Sequence, residues 1–204
     1  MMNLSMTITY EIENSLYLNI TNRCTNHCTF CVRNNSDGVV DGLNLWLERE
    51  PTIDEVLEAI SNLEISKYRE FVFCGYGEPL MRTSDLIEIC KKLKATYNMP
   101  IRINTNGQGN LINGCDITPL LEGLVDTISI SLNAKDKQAY QALCLSDFGE
   151  TAFEGILDFA AKCQKYIPHV VFSVVDLISK EDIQACKQLA ESIGVDFRVR
   201  HFAV

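Results

Sequence analysis

The sequence predicts an α/β fold: a partial (β/α)6 barrel, TIM-like, with parallel strands and an open lumen. Three observations carry this expectation. Six strand-like runs recur along the chain with helical patterns between most of them, the order expected of βαβ units and a parallel sheet. In four of the six, apolar residues alternate with polar ones, whereas a doubly wound sheet covered on both faces reads apolar throughout. Finally, 204 residues of 47% hydrophobic composition suit one well-filled core and are too few for two ordinary domains, so one domain over residues 1–204 is expected.

A sheet with one apolar and one polar face can bury only the apolar face under helices. Curling the sheet so that its polar face lines a lumen resolves the conflict. A complete eight-stranded barrel fills that space with branched side chains. Six strands and a polar interior therefore imply an open barrel that holds a polar ligand.

The first strand, Leu16–Thr21, sets Leu16, Leu18 and Ile20 against Tyr17, Asn19 and Thr21. Thr52 followed by Glu55 is a capping box that opens a helix to about Leu63. The strand Phe71–Cys74 follows, then a helix from about Ser84 to Tyr97. In Ile101–Thr105 the polar face carries Arg102, Asn104 and Asn106; in Thr127–Leu132 it carries Ser129, Ser131 and Asn133. Asp136 to Lys165 reads as two helices broken near Phe148–Gly149, and Val170–Val175 is the fifth strand. Ser179 with Asp182 starts the last helix and Gly194 stops it. Phe197–Phe202 closes the series, with Phe197 and Val199 opposite Arg198 and Arg200.

The formal net charge of −9 argues against a nucleic-acid or anionic-membrane surface. Met1 to Tyr10 does not read as a signal peptide, and no apolar run reaches the length of a membrane span. Nine cysteines, an odd number, suit reduced thiols or metal ligands in a cytoplasmic protein better than a disulfide framework.

Three of those cysteines, Cys24, Cys28 and Cys31, fall within eight residues just after the first strand, where barrel active sites gather. Electron-transfer clusters usually take four cysteines. Three thiolates on a cubane leave one iron open to a substrate or cofactor. Two other readings stand beside this one: a non-catalytic zinc module, completed by His27 or a distant ligand, and an iron–sulfur electron carrier. Adjacent His27 and Cys28 are awkward joint ligands for one tetrahedral ion, and no second pair of cysteines is present to make a zinc knuckle.

The C-x3-C-x2-C spacing, with Phe30 before the last cysteine, resembles the signature of the radical SAM superfamily. The resemblance implies that Cys24, Cys28 and Cys31 bind a [4Fe–4S] cluster whose open iron chelates S-adenosylmethionine (SAM), with Phe30 against the adenine. In that family the reduced cluster cleaves SAM to methionine and a 5′-deoxyadenosyl radical, which abstracts a substrate hydrogen. Cys74-Gly75-Tyr76-Gly77-Glu78-Pro79 resembles the family's Gly-Gly-Glu-Pro segment, so Gly75, Tyr76, Gly77 and Glu78 are expected near the SAM amino group. Asn104, Ser131 and Asn133 look like the strand ends that meet the SAM carboxylate and ribose. Arg200, with Arg198, suits the SAM carboxylate or an anionic substrate group, and a structural ion pair fits equally. The implied partner is a one-electron reductant of flavodoxin or ferredoxin type. The substrate class implied is a peptide or a nucleotide-like molecule.

Leu18 to Cys24, Phe30 to Asn35 and Leu45 to Pro51 look like the small TatD-associated radical SAM proteins, which implies a TatD-type hydrolase as a possible partner. The remaining cysteines, Cys74, Cys90, Cys115, Cys144, Cys163 and Cys186, read mostly as small core hydrophobes, Cys74 excepted for its place beside the SAM segment. His169 and His201 read as packed within apolar strands. The long connection Val32 to Glu50 is expected to cover the barrel mouth or dock a partner.

Overall fold

The computed structural model describes residues 6–34, 39–40 and 43–201. Nine strands and six α-helices occupy these residues: β1 Thr9–Ile12, β2 Ser15–Leu18, β3 Val39–Val40, β4 Leu43–Asn44, α1 Ile53–Ser61, β5 Glu70–Phe73, α2 Thr83–Tyr97, β6 Ile101–Thr105, α3 Gly109–Asn113, β7 Thr127–Ser131, α4 Lys137–Cys144, α5 Thr151–Cys163, β8 His169–Val175, α6 Lys180–Ile193 and β9 Asp196–Arg200. The main sheet runs β1-β2-β5-β6-β7-β8-β9. Every pairing from β2 to β9 is parallel. The first and last strands of this order do not meet, so the barrel is partial, as its polar face implied.

All six expected strands are present, the last of them described as far as Arg200. Phe202, its expected end, lies outside the described residues. One addition modifies the all-parallel reading: β1 pairs antiparallel with β2. Only two residues, Glu13 and Asn14, join them, and Glu13 takes the left-handed φ of 52° that such a tight turn demands. With half-exposed and exposed residues along it, β1 shows none of the apolar alternation that betrays the other strands. A second small hairpin, β3–β4, falls within the connection from Val32 to Glu50.

The apolar half of each alternation forms the core. Leu16, Leu18, Ile101, Ile103, Ile128 and Ile130 are buried under the helices. Thr52 caps α1 as expected: its hydroxyl accepts from the Glu55 N–H, and the Glu55 carboxylate accepts from the Thr52 N–H at 2.8 Å. The helix is two residues shorter than its pattern suggested. The break between α4 and α5 is made by Leu145 and Gly149, both at positive φ. Ser179 caps α6, and Gly194 ends it in the left-handed region at φ 84°. On β9 the alternation is only half honoured, because Val199 is 39% exposed on a strand with a neighbour on one side only.

Candidate active site

Between β2 and the short helical turn at Val32–Asn34, the cysteine loop crosses the carboxyl end of the sheet, held from three sides. On the β5 side a Cβ on Gly77 would lie 2.3 Å from the Thr21 carbonyl oxygen and 2.6 Å from that of Arg23. Only glycine lets the two backbones pass so closely, and the Glu78 N–H then donates to the Arg23 carbonyl at 2.8 Å. On the α4 side the His27 N–H donates to the Cys144 carbonyl at 3.0 Å, the Thr29 N–H to Leu143 at 3.0 Å, and the Asp147 N–H to Thr25 at 2.8 Å.

Beneath the loop lies Gln108, with no exposed surface. Its side-chain oxygen accepts from the Thr25 hydroxyl at 2.7 Å and the Ser146 hydroxyl at 3.2 Å. Its amide donates to Asn26 Oδ1 at 2.8 Å and to the Tyr140 hydroxyl at 3.0 Å. A buried polar network with every member satisfied fixes one geometry, which is what a ligand-presenting loop needs.

The loop roofs a cleft of about 320 Å³. Cys24, Cys28, Cys31, Phe30 and Gly75 line it from the loop side; Ser131, Asn133 and Arg200 line it from the strand ends. Eight of the twelve residues singled out from sequence thus share one space. Among the described residues, no three His, Cys, Asp or Glu side chains converge closely enough to hold a single ion, and Cys24, Cys28 and Cys31 all line the cleft. Cys24 Sγ accepts from the Asn26 N–H at 3.4 Å, and Cys31 Sγ from Arg33 Nε at 3.3 Å. Cys28 rests against Cys144. Burial pushes the Cys24 thiol up to about 12, and contact with Cys144, then burial, raises Cys28 as well. Metal ligation at these sulfurs must therefore displace protons.

The other four residues stand elsewhere. Gly77 serves the backbone approach described above. Tyr76 is buried and meets Trp46 edge-on, with ring centroids 5.1 Å apart. Asn104 lies lower in the lumen, accepting from Arg102 at 3.1 Å. Glu78 is behind the cleft wall: one carboxylate oxygen accepts from the Thr105 hydroxyl at 2.7 Å and the Leu80 N–H at 3.0 Å, the other from the Asn106 N–H at 2.6 Å. Burial nevertheless raises its pKa to about 7, the three hydrogen bonds offsetting only part of the loss of water. His27, the residue weighed for zinc, turns its ring to Asp147 at 3.2 Å and does not line the cleft.

Two buried polar atoms bear on what the cleft is for. Among the described residues Asn133 Oδ1 and Arg200 Nε have no hydrogen-bond partner, and both residues line the cleft. Such atoms are costly unless a ligand satisfies them. Asn133 is also held at φ 57°. Arg200 donates to the Ser131 hydroxyl at 3.3 Å, and burial together with neighbouring Arg198 depresses its pKa. Among the described residues Arg23, Arg49, Arg69, Arg82 and Arg102 each pair with a carboxylate, while Arg33, Arg198 and Arg200 do not.

Sequence reasoning missed Asn26, Val32, Val175 and His201 as lining residues and left Asn106 without a role. Strand parity already sets Asn106 on the polar face, and it could have found Val175. Asn26 and the Cys28–Cys144 contact depend on packing between segments more than a hundred residues apart. The histidine expectation is overturned: His169 and His201 are exposed, because each lies at a strand end, and His201 meets Asp176 at 2.7 Å. Cys90, Cys144, Cys163 and Cys186 are buried as expected, but Cys115 is exposed just past α3.

Three thiols, two unsatisfied polar atoms and a glycine-lined wall suit an iron–sulfur cluster with a polar organic ligand beside it. Comparison with known proteins agrees. The Radical SAM superfamily model matches residues 18–193, and the chain belongs to that superfamily. Among curated relatives, the GTP 3′,8-cyclase of Streptomyces coelicolor is 28% identical over 197 residues, covering 93% of this chain and 52% of that protein. The probable GTP 3′,8-cyclase of Methanothermobacter thermautotrophicus is 29% identical over 142 residues, 70% of this chain and 42% of its own length. The chain thus spans about half of these relatives or less. Methylornithine synthase superposes with a TM-score of 0.67 at 16% identity over 93% of this chain and 53% of that one. SuiB of Streptococcus suis, bound to S-adenosylmethionine, gives 0.65 at 14% identity over 92% and 38%.

Proposed function

We propose that this chain is a radical SAM enzyme in which Cys24, Cys28 and Cys31 hold a [4Fe–4S] cluster and the cleft beside them holds SAM. The observation that carries this reading is the cleft itself: three cysteines open onto the same space as two buried polar atoms that lack partners among the described residues. When bound, the cluster and SAM supply a 5′-deoxyadenosyl radical able to take a hydrogen atom from substrate. The protein's part is to bind, orient and enclose. Arg200 offers its free Nε to a carboxylate, Asn133 offers Oδ1 to an ammonium or hydroxyl, and Phe30 supplies a flat apolar surface. Gly75 leaves the wall bare, since a Cβ there would strike Asn19 Oδ1 at 2.1 Å.

Arg198 and Arg200, unneutralised on the lumen side of an open edge strand, favour an anionic substrate, and the GTP-named relatives favour a nucleotide-like one over a peptide. The reading includes a one-electron reductant and, from the motif resemblance, a TatD-type hydrolase as partner. It also places the chain in a reducing compartment such as the cytoplasm, since ligand cysteines must stay free of disulfides. Among the described residues no helix is long and apolar enough to cross a membrane.

The test is anaerobic reconstitution with iron and sulfide, followed by reduction and addition of SAM. The expected result is a SAM-dependent change in the EPR signal and release of 5′-deoxyadenosine, both lost on replacing any of the three cysteines with alanine. Stoichiometric zinc with no iron uptake would refute the reading in favour of a zinc module. A cluster indifferent to SAM would identify an electron carrier.

A further inference from the structure

Arg33 lies two residues beyond the third cysteine, and all three of its guanidinium nitrogens are engaged by the loop. Nε donates to Cys31 Sγ at 3.3 Å, Nη1 to the Asn22 carbonyl at 3.2 Å and Nη2 to the Asn26 carbonyl at 3.2 Å. The two carbonyls bracket Cys24 along the chain, and the sulfur lies at the far end of the motif. One planar fork therefore spans the cysteine loop from residue 22 to residue 31, a task lysine's point charge cannot reproduce.

The charge has no carboxylate partner among the described residues, although the sequence holds 27 acidic residues against 18 basic ones. A half-buried cation is costly without an anion nearby. The negative charge that this one faces is that of the ligand thiolates. A hydrogen bond and a positive charge at a ligand sulfur stabilise the more negative, reduced state of a cluster; charge and hydrogen bonds to the sulfurs are what set such potentials.

We infer that Arg33 is a positioning residue that clamps the loop shut and raises the cluster's reduction potential, making the electron easier to accept. This rests on the cluster assignment above. The experiment compares the wild type with Arg33→Lys and Arg33→Gln, each reconstituted anaerobically, with midpoint potentials read by EPR-monitored titration without SAM. At the wild type's midpoint, the ratio of reduced to oxidised cluster should fall on the order of tenfold in Arg33→Gln, which is 59 mV for one electron. Arg33→Lys should fall between the two. Clamping alone would alter iron content and leave the potential in place, so equal potentials in all three proteins overturn the inference.

If Arg33→Gln takes up no cluster, Arg200→Lys protein grown with guanidino-15N-arginine decides, because Arg200 also lines the cleft: a 15N hyperfine coupling to the reduced cluster supports the Arg33 contact, and its absence overturns it. A wild type that binds no iron–sulfur cluster defeats this inference and the proposed function together. A cluster that ignores SAM defeats only the latter, because the potentials still decide the role of Arg33.

Discussion

Replacing Glu78 with glutamine tests whether this residue is a ligand-binding group or a buried brace. Its two oxygens receive three donors, two of them backbone N–H groups. Glutamine has the same shape but must put an NH2 in place of one oxygen. Facing Asn106, that NH2 meets a backbone N–H directly. Facing the other way, it can be accommodated by a turned Thr105 hydroxyl but not by the Leu80 N–H. One buried N–H is orphaned in either orientation, at a cost of about 1–3 kcal/mol. For a chain of this size that corresponds to a fall in Tm of roughly 2–4 °C per kcal/mol, or about 5 °C.

The pH dependence separates this mechanism from a generic loss of packing. Glu78 has a folded pKa of about 7 against a reference of 4.5, so the folded state holds its proton more tightly than the unfolded chain does. Its contribution is then fully present below the unfolded pKa, declines as pH rises towards 7 and is flat above that, a change of about 3 kcal/mol. A protonated carboxyl retains a lone pair for the Leu80 N–H, which the glutamine NH2 lacks. The gap between wild type and Glu78→Gln should therefore be widest near pH 5 and shrink by pH 8. The assay is thermal melting of the reduced, metal-free protein at both pH values. Equal Tm at pH 5, or a gap that widens towards pH 8, would refute the reasoning.

Gly77→Ala should be more damaging than its size suggests, because the added methyl strikes backbone carbonyls, which cannot swing aside; we expect a stability loss of about 2 kcal/mol or more by urea titration, together with reduced iron uptake. Asn133→Gly should split stability from binding: relief of the left-handed φ offsets the lost amide packing, leaving Tm within a few degrees, while SAM affinity of the reconstituted protein, read by equilibrium dialysis, falls about tenfold for the lost hydrogen bond.

Alternation made the fold legible. Ile101, Ile103, Ile128 and Ile130 announced a face for the core, and the residues between them announced a lumen, which is why strand parity alone assigns Ser131, Asn133 and Arg200 to one space. β1 stayed hidden because its half-exposed and exposed run carries no period, and the β3–β4 hairpin because two-residue strands are too short to show one. Glu78 shows the limit of motif reading. A glutamate that touches a ligand and one that braces two loops look identical in sequence, and only the positions of Leu80, Thr105 and Asn106 tell them apart.

The cysteine loop, Cys24 to Cys31, shares backbone hydrogen bonds with Leu143, Cys144 and Asp147, more than a hundred residues downstream. While the chain is being synthesised, the first cysteines leave the ribosome long before those partners exist. The loop cannot take its final shape until Asp147 has emerged. On the proposed assignment of the three cysteines to a cluster, metal delivery would be a late event, and the early-exposed thiols would have to be kept reduced in the interval.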